Sequence, residues 1–126
     1  MKRTVFSLLL AAIPLTFAHA GEEALSGAAL QSVVAGRTVY INTPMGEVPI
    51  RYAKNGAVSG YTQLALLDGE ATTFDRGRWW IAQNRLCLRW DNWMQRATHC
   101  FTMHRVGPST VRWLREDGKS GFARIG

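Results

Sequence analysis

Arg85-Leu86-Cys87-Leu88-Arg89-Trp90, then Asp91-Asn92-Trp93-Met94-Gln95-Arg96, then Ala97-Thr98-His99-Cys100-Phe101-Thr102-Met103-His104-Arg105 is the stretch whose reading decides the fold. Apolar residues alternate with polar ones on both flanks, and the centre is rich in turn-compatible residues. If Cys87 is bonded to Cys100 across an antiparallel pair, the numbers of facing residues sum to 187. Leu86 then meets Phe101, Leu88 meets His99, Arg89 meets Thr98 and Trp90 meets Ala97. Because side chains alternate along a strand, Leu86, Leu88, Trp90, His99, Phe101 and Met103 share one face, and Arg85, Cys87, Arg89, Cys100, Thr102 and His104 share the other. The first face is the apolar one and is expected to point into the core, with Asp91 to Arg96 as the connecting loop.

The bond itself is inferred from compartment. Lys2 and Arg3 precede an apolar run from Val5 to Ala18, and Ala18-His19-Ala20 offers small residues where a signal peptidase reads them. Residues 1–20 are therefore expected to be a cleaved signal peptide and 21–126 a single domain. The apolar run is broken by Pro14 and falls short of the ~20 residues that span a bilayer, so a membrane-spanning role after cleavage is not expected. Export leads to an oxidising compartment, here the periplasm, where an isolated cysteine pair is a disulfide. Cys87 and Cys100 are the only two cysteines in the chain. Closing a loop of about fourteen residues stabilises the folded state by ~3 kcal/mol in the chain-entropy picture.

Outward from this hairpin, the rest of the chain is punctuated every ten residues or so by turn chemistry. Thr38 to Asn42, Glu47 to Lys54, Ala57 to Thr62, Thr72 to Phe74, Arg78 to Gln83, Arg85 to Trp90, Ala97 to Arg105, Thr110 to Arg115 and Ser120 to Ile125 read as strands. Thr43 to Gly46, a two-residue Asn55-Gly56 hairpin, a loop around Asp68-Gly69 and Asp117-Gly118 connect some of them. Only Gly27 to Ala35 carries a helical pattern, with Ser26 suited to cap its start and Gly36 to end it. The expected fold is mostly β: a small antiparallel up-and-down barrel of about eight strands, with one short N-terminal helix packed on or across an opening. Two hairpin segments are alike, Tyr52 to Tyr61 and Trp113 to Phe122, each running aromatic, turn, Ser-Gly, aromatic.

Charge and composition narrow the function classes. The chain has 126 residues, 47% hydrophobic and 19% charged, which suits a folded domain rather than a disordered one. Without Lys2 and Arg3, 13 basic and 9 acidic residues remain, a net charge of about +4, and eleven of the thirteen are arginines. Nucleic acid is a poor match for an exported chain with no basic tract, so an anionic envelope component is the better partner for that charge. No metal site and no cofactor are expected: with both thiols in a disulfide, His99 and His104 are the only histidines after the leader and face opposite sides of their strand. There is no Gly-x-Ser-x-Gly elbow, free thiol or phosphate-binding glycine loop, and the close carboxylate pairs Glu22-Glu23 and Glu116-Asp117 read as solvated. Asp75 and Asp91 are left as carboxylates that only the fold could bring together. The chain is read as a non-enzyme.

The side chains that remain are aromatic. Tyr52, Trp79, Trp90 and His99 are candidates to line a ligand site in the barrel mouth, His99 being either a ligating residue or a core-edge histidine bonded to backbone. Trp79 and Trp80 are neighbours on one strand and must face opposite sides. With Trp79 inside, Trp80 joins Arg89, Trp93 and Arg96 as candidates for a partner-binding surface. The alternatives are that the helix or arginine stems cover Trp80, and that Trp93 folds back over the barrel end.

Gly36-Arg37-Thr38-Val39, Tyr52 with Asn55-Gly56, Asp75-Arg76-Gly77-Arg78-Trp79-Trp80, Leu86-Cys87-Leu88-Arg89-Trp90 and Cys100 together resemble a group of small exported proteobacterial proteins known only as a domain of unknown function. The Gly-x-Trp, Cys-x-x-Trp and final Cys pattern spans most of residues 21–126. The resemblance implies an exported, disulfide-bonded, β-rich domain and carries no activity with it. The leading expectation is a non-enzymatic, monomeric periplasmic binding protein for a small apolar or amphipathic ligand. The rival expectation is a protein-interaction module, a wall-hydrolase inhibitor or an envelope scaffold, working through the loop Asp91 to Arg96.

Overall fold

The structure is a computed structural model that describes residues 23–63 and 72–126. The expected signal peptide at residues 1–20 and the Asp68-Gly69 loop lie outside the described residues. Nine strands are described: β1 (Glu23–Ala24), β2 (Arg37–Thr43), β3 (Gly46–Tyr52), β4 (Ala57–Tyr61), β5 (Phe74–Ala82), β6 (Arg85–Trp90), β7 (Thr98–Arg105), β8 (Thr110–Arg115) and β9 (Ser120–Ile125), with one helix, α1 (Gly27–Val34). Strands β2 to β9 pair antiparallel in chain order, and β9 returns to pair with β2, closing an eight-stranded up-and-down barrel. Closure leaves no row of unpaired edge groups around the barrel wall.

The hairpin from Arg85 to Arg105 has the expected register. Leu86 faces Phe101, Cys87 faces Cys100, Leu88 faces His99 and Arg89 faces Thr98, and Cys87 is disulfide-bonded to Cys100. The inward face follows around the whole barrel. Val39, Val58, Leu86, Met103, Val111 and Ala123 are buried within it. Two details depart from expectation. Thr72 to Phe74 and Arg78 to Gln83 are not separate strands, because Phe74–Ala82 runs as one nine-residue strand. β1, absent from the sequence reading, pairs with β7 at Ala24 and His104, beyond the residues of β7 that pair with β6.

The two similar hairpins share a turn, and at Asn55-Gly56 it is not the two-residue one expected. In the first, Gly56 N–H donates to the Ala53 carbonyl at 3.1 Å and Ala53 N–H to the Ala57 carbonyl at 2.9 Å. In the second, Gly118 N–H donates to Arg115 at 3.0 Å and Arg115 N–H to Lys119 at 2.8 Å. Each is a three-residue loop whose last residue is a left-handed glycine, with φ of 90° at Gly56 and 88° at Gly118. The following Ser-Gly pairs also share a purpose. A Cβ on Gly60 would come within 2.8 Å of the Trp93 ring, and one on Gly121 within 2.7 Å of the Trp113 ring. In a barrel this narrow, a glycine opposite each indole leaves room for it.

The helix closes one end. Ser26 caps it by accepting from the Ala29 N–H, and Gly27 N–H donates to the Asn84 side chain in the β5–β6 turn at 2.8 Å. Leu30 and Val34 are fully buried and join the barrel core. The helix is eight residues long, and no helix among the described residues is long and apolar enough to cross a membrane. The Thr43–Gly46 turn, the Asp91 to Ala97 loop and the Glu116–Lys119 turn lie at the opposite end.

Candidate functional site

The barrel is not filled. Its interior holds a cavity of about 180 Å³ whose lining includes Tyr52, Leu88, Trp90, Phe101, Met103 and Trp113. Ile41 and Ile50 complete an apolar wall, and Met94 and Arg115 stand toward the loop end. The register explains the lining. Ile50 and Tyr52 alternate inward on β3, Leu88 and Trp90 on β6, Phe101 and Met103 on β7, and Trp113 and Arg115 on β8. Phe101 meets Trp113 edge to face, with centroids 5.7 Å apart.

Polar groups in this wall are few. Burial alone pushes the Tyr52 phenol well above its usual range, so it is neutral at physiological pH. The Trp113 indole nitrogen is buried with no hydrogen-bond partner among the described residues. A buried donor left unbonded costs about 1–3 kcal/mol. Arg115 at the loop end is bonded to Asp117, through Nε at 2.8 Å and through a second, shorter contact from its terminal nitrogen. That guanidinium holds the Asp117 carboxyl well below the usual carboxylate range.

Of the four ligand candidates named from sequence, Tyr52 and Trp90 line the cavity and two do not. Trp79 is buried beside it, edge to face with Tyr52 at 5.8 Å, and its indole N–H donates to the Ala53 carbonyl at 2.8 Å. His99 faces inward but sits nearer the loop end. Its Nδ1 lies 3.0 Å from Glu116 Oε1, so its partner is a carboxylate rather than backbone. Glu116 also accepts from the Cys100 N–H at 2.9 Å, satisfying β7 where β8 has ended. Burial pushes the Glu116 carboxyl up, but the bonds from Cys100, its own N–H and His99 outweigh it and hold it below the usual range.

The partner-binding set divides as well. Trp80, Arg89 and Arg96 line one outer groove, whereas Trp93 is buried, 6% exposed, and is corrected from a loop-tip anchor to a core residue. It packs on Trp90 with centroids 4.7 Å apart, and its indole N–H donates to the Thr72 carbonyl at 2.9 Å. The device that turns it inward is Asp75. This carboxylate is 3% exposed; Oδ2 accepts from the Asn92 and Trp93 N–H groups, both at 2.8 Å, and Oδ1 from the Asn92 amide at 3.1 Å. Asp75 therefore meets the loop backbone and not the Asp91 side chain, which lines the outer groove. Beyond Trp93 the chain takes three consecutive left-handed residues, Met94, Gln95 and Arg96, with φ of 54°, 57° and 57°. Such a run is costly for residues with side chains and persists only where neighbours hold it in place.

Burial pushes the Asp75 carboxyl up, but the hydrogen bonds from Trp93, Asn92 and Arg76 outweigh it and set it below the usual range. A depressed carboxylate contributes stability above its unfolded pKa of ~3.9, and that contribution is lost as pH falls through the lower folded value. Asp75→Asn is expected to cost about 2 kcal/mol at pH 7. Urea unfolding at pH 7 and again below pH 3 checks this: the gap between wild type and variant narrows in acid, and a gap independent of pH would contradict the assignment.

Met94, Phe101, Met103, Trp113 and Arg115 line the cavity but were not named as ligand contacts from sequence. Phe101 and Met103 had been placed on the inner face by the disulfide register, so the signal was present for them. For Trp113 and Arg115 it lay in the pairing of β7 with β8, which no covalent link announces. Among the described residues, no three of His, Cys, Asp and Glu come together as a metal site. No family model, curated protein or solved structure matches this chain.

Proposed function

We propose that the protein is a non-enzymatic periplasmic binding protein whose barrel interior takes a small apolar or amphipathic molecule. The observation that carries this reading is the apolar cavity of about 180 Å³ inside a closed barrel. Barrels of eight strands are commonly filled by their own side chains, so retained space is informative. The volume is somewhat above the ~150 Å³ of an engineered apolar cavity that takes up benzene, which sets the scale at one aromatic ring or a short acyl tail. Van der Waals contact with Ile50, Leu88, Phe101 and Met103 would hold the apolar body, and Arg115 would receive a polar end at the mouth. The Lys2-Arg3 start, the apolar run to Ala18 and the Cys87–Cys100 disulfide support the periplasmic placement.

Native mass spectrometry of the chain purified from its own periplasm tests the reading, together with thermal shifts against indole, phenol and octanoate. The expected result is a mass excess or a stabilising ligand. At a hundred times its dissociation constant, such a ligand adds about 2.7 kcal/mol to the folded state. Ile41→Phe, which fills the cavity from β2, is expected to abolish either effect while the barrel still folds. An empty mass with no shift across the panel would remove the proposal.

A further inference from the structure

The outer face of β5 and β6 carries a second feature that the cavity does not use. Arg78 and Arg89 stand directly opposite each other on these neighbouring strands, both exposed. Like charges in facing positions destabilise a sheet, so the fold gains nothing from this pair. Arg96 joins them from the loop, and together with Trp80, Asp91, Thr98 and the edge of the buried Trp90 they line a groove of about 420 Å³. Among the described residues, no carboxylate forms an ion pair with Arg78, Arg89 or Arg96. Trp80 follows Arg78 by two positions, so the two side chains emerge on the same face about 7 Å apart along the strand. Its indole is 38% exposed, and Trp80 stands across the ladder from the disulfide-bonded Cys87.

We infer that this groove binds an acidic saccharide, with a carboxylate held between Arg78 and Arg89 and a sugar ring against Trp80. Planar guanidinium groups match a carboxylate through paired hydrogen bonds, and an indole offers an apolar face with a polar edge. The concave shape and the single exposed aromatic, Trp80, suit a short stretch of glycan chain better than a lipid surface, which would need several exposed apolar side chains to enter the bilayer boundary. Three arginines against Asp91 leave the groove net positive. Asp91 is then a repulsive neighbour of the bound carboxylate, and its removal strengthens binding.

Calorimetric titration of the disulfide-bonded chain at low salt with tetragalacturonate tests this, with uncharged maltotetraose as the control. Tetragalacturonate is expected to bind and maltotetraose not. Arg89→Gln is expected to weaken binding at least about tenfold, and Trp80→Ala about threefold to tenfold. Asp91→Asn is expected to tighten it, a direction that a purely structural role would not produce. Melting curves confirm that each variant is folded. Failure of tetragalacturonate to bind would overturn the proposal. So would binding indifferent to Trp80→Ala and matched by inorganic phosphate or by vesicles rich in anionic lipid, since that would mean general attraction to negative charge.

Discussion

Gly77→Ala is expected to leave the chain unfolded or in aggregates, although it adds a single methyl group. Gly77 is inward-facing on β5 opposite Trp90, and a Cβ there would lie 2.1 Å from the Arg89 carbonyl oxygen and 2.9 Å from the Trp90 Cα. Both obstacles are backbone, so no side-chain rotation relieves the overlap. The β5–β6 ladder would have to open at the point where Asp91 N–H still bonds the Arg76 carbonyl at 2.7 Å. A loss above ~4 kcal/mol is expected, comparable to the whole stability of a small domain. Gly107→Ala is the matched control, because a Cβ there meets nothing nearer than 3.7 Å. Its melting temperature should stay at the wild-type value, while Gly77→Ala should show no cooperative transition by circular dichroism. A folded Gly77→Ala with wild-type melting would mean that β5 and β6 do not approach in this way.

Trp93→Ala is expected to destabilise the protein by about 3–5 kcal/mol, the range for emptying an indole site in a core. The substitution removes the contact with Trp90 and the bond to the Thr72 carbonyl, and it leaves the space over Gly60 vacant. For a domain of about 100 residues each kcal/mol moves the melting temperature by about 4–8 °C, so a fall of more than 10 °C is expected. Trp80→Ala, on the outer wall, should change melting by no more than a few degrees. The contrast between the two tryptophans separates a core residue from a surface one. Equal and small effects would return Trp93 to the loop surface.

The barrel was legible because one covalent bond fixes a register and strand alternation then carries the inside-outside assignment along both partners. Leu86, Leu88, Phe101 and Met103 were assigned to the interior on that basis. The turn glycines placed the hairpins, though not the loop type, since Asn55-Gly56 and Asp117-Gly118 suit both a two-residue turn and the three-residue turn that forms. What could not be read was the path of Asp91 to Ala97. Its inward turn depends on Asp75, sixteen residues earlier in sequence than Asp91, accepting two backbone N–H groups, and a lone aspartate between strands gives no sign of such partners. The same limit applies to Trp113 and Arg115, which reach the cavity through strand pairing with β7 alone. The Arg78–Arg89 opposition was hidden for a related reason: it needs the β5–β6 register, which no covalent link announces.

The five indole N–H signals in a nuclear magnetic resonance spectrum report directly on whether the apolar cavity lined by Trp90 and Trp113 takes up a ligand. The five tryptophans, at positions 79, 80, 90, 93 and 113, each report a different part of the barrel. Titration with indole or phenol is expected to shift the signals of Trp90 and Trp113 and leave Trp80, on the outer wall, in place. Shifts confined to Trp80, or none at saturating ligand, would contradict binding inside the barrel.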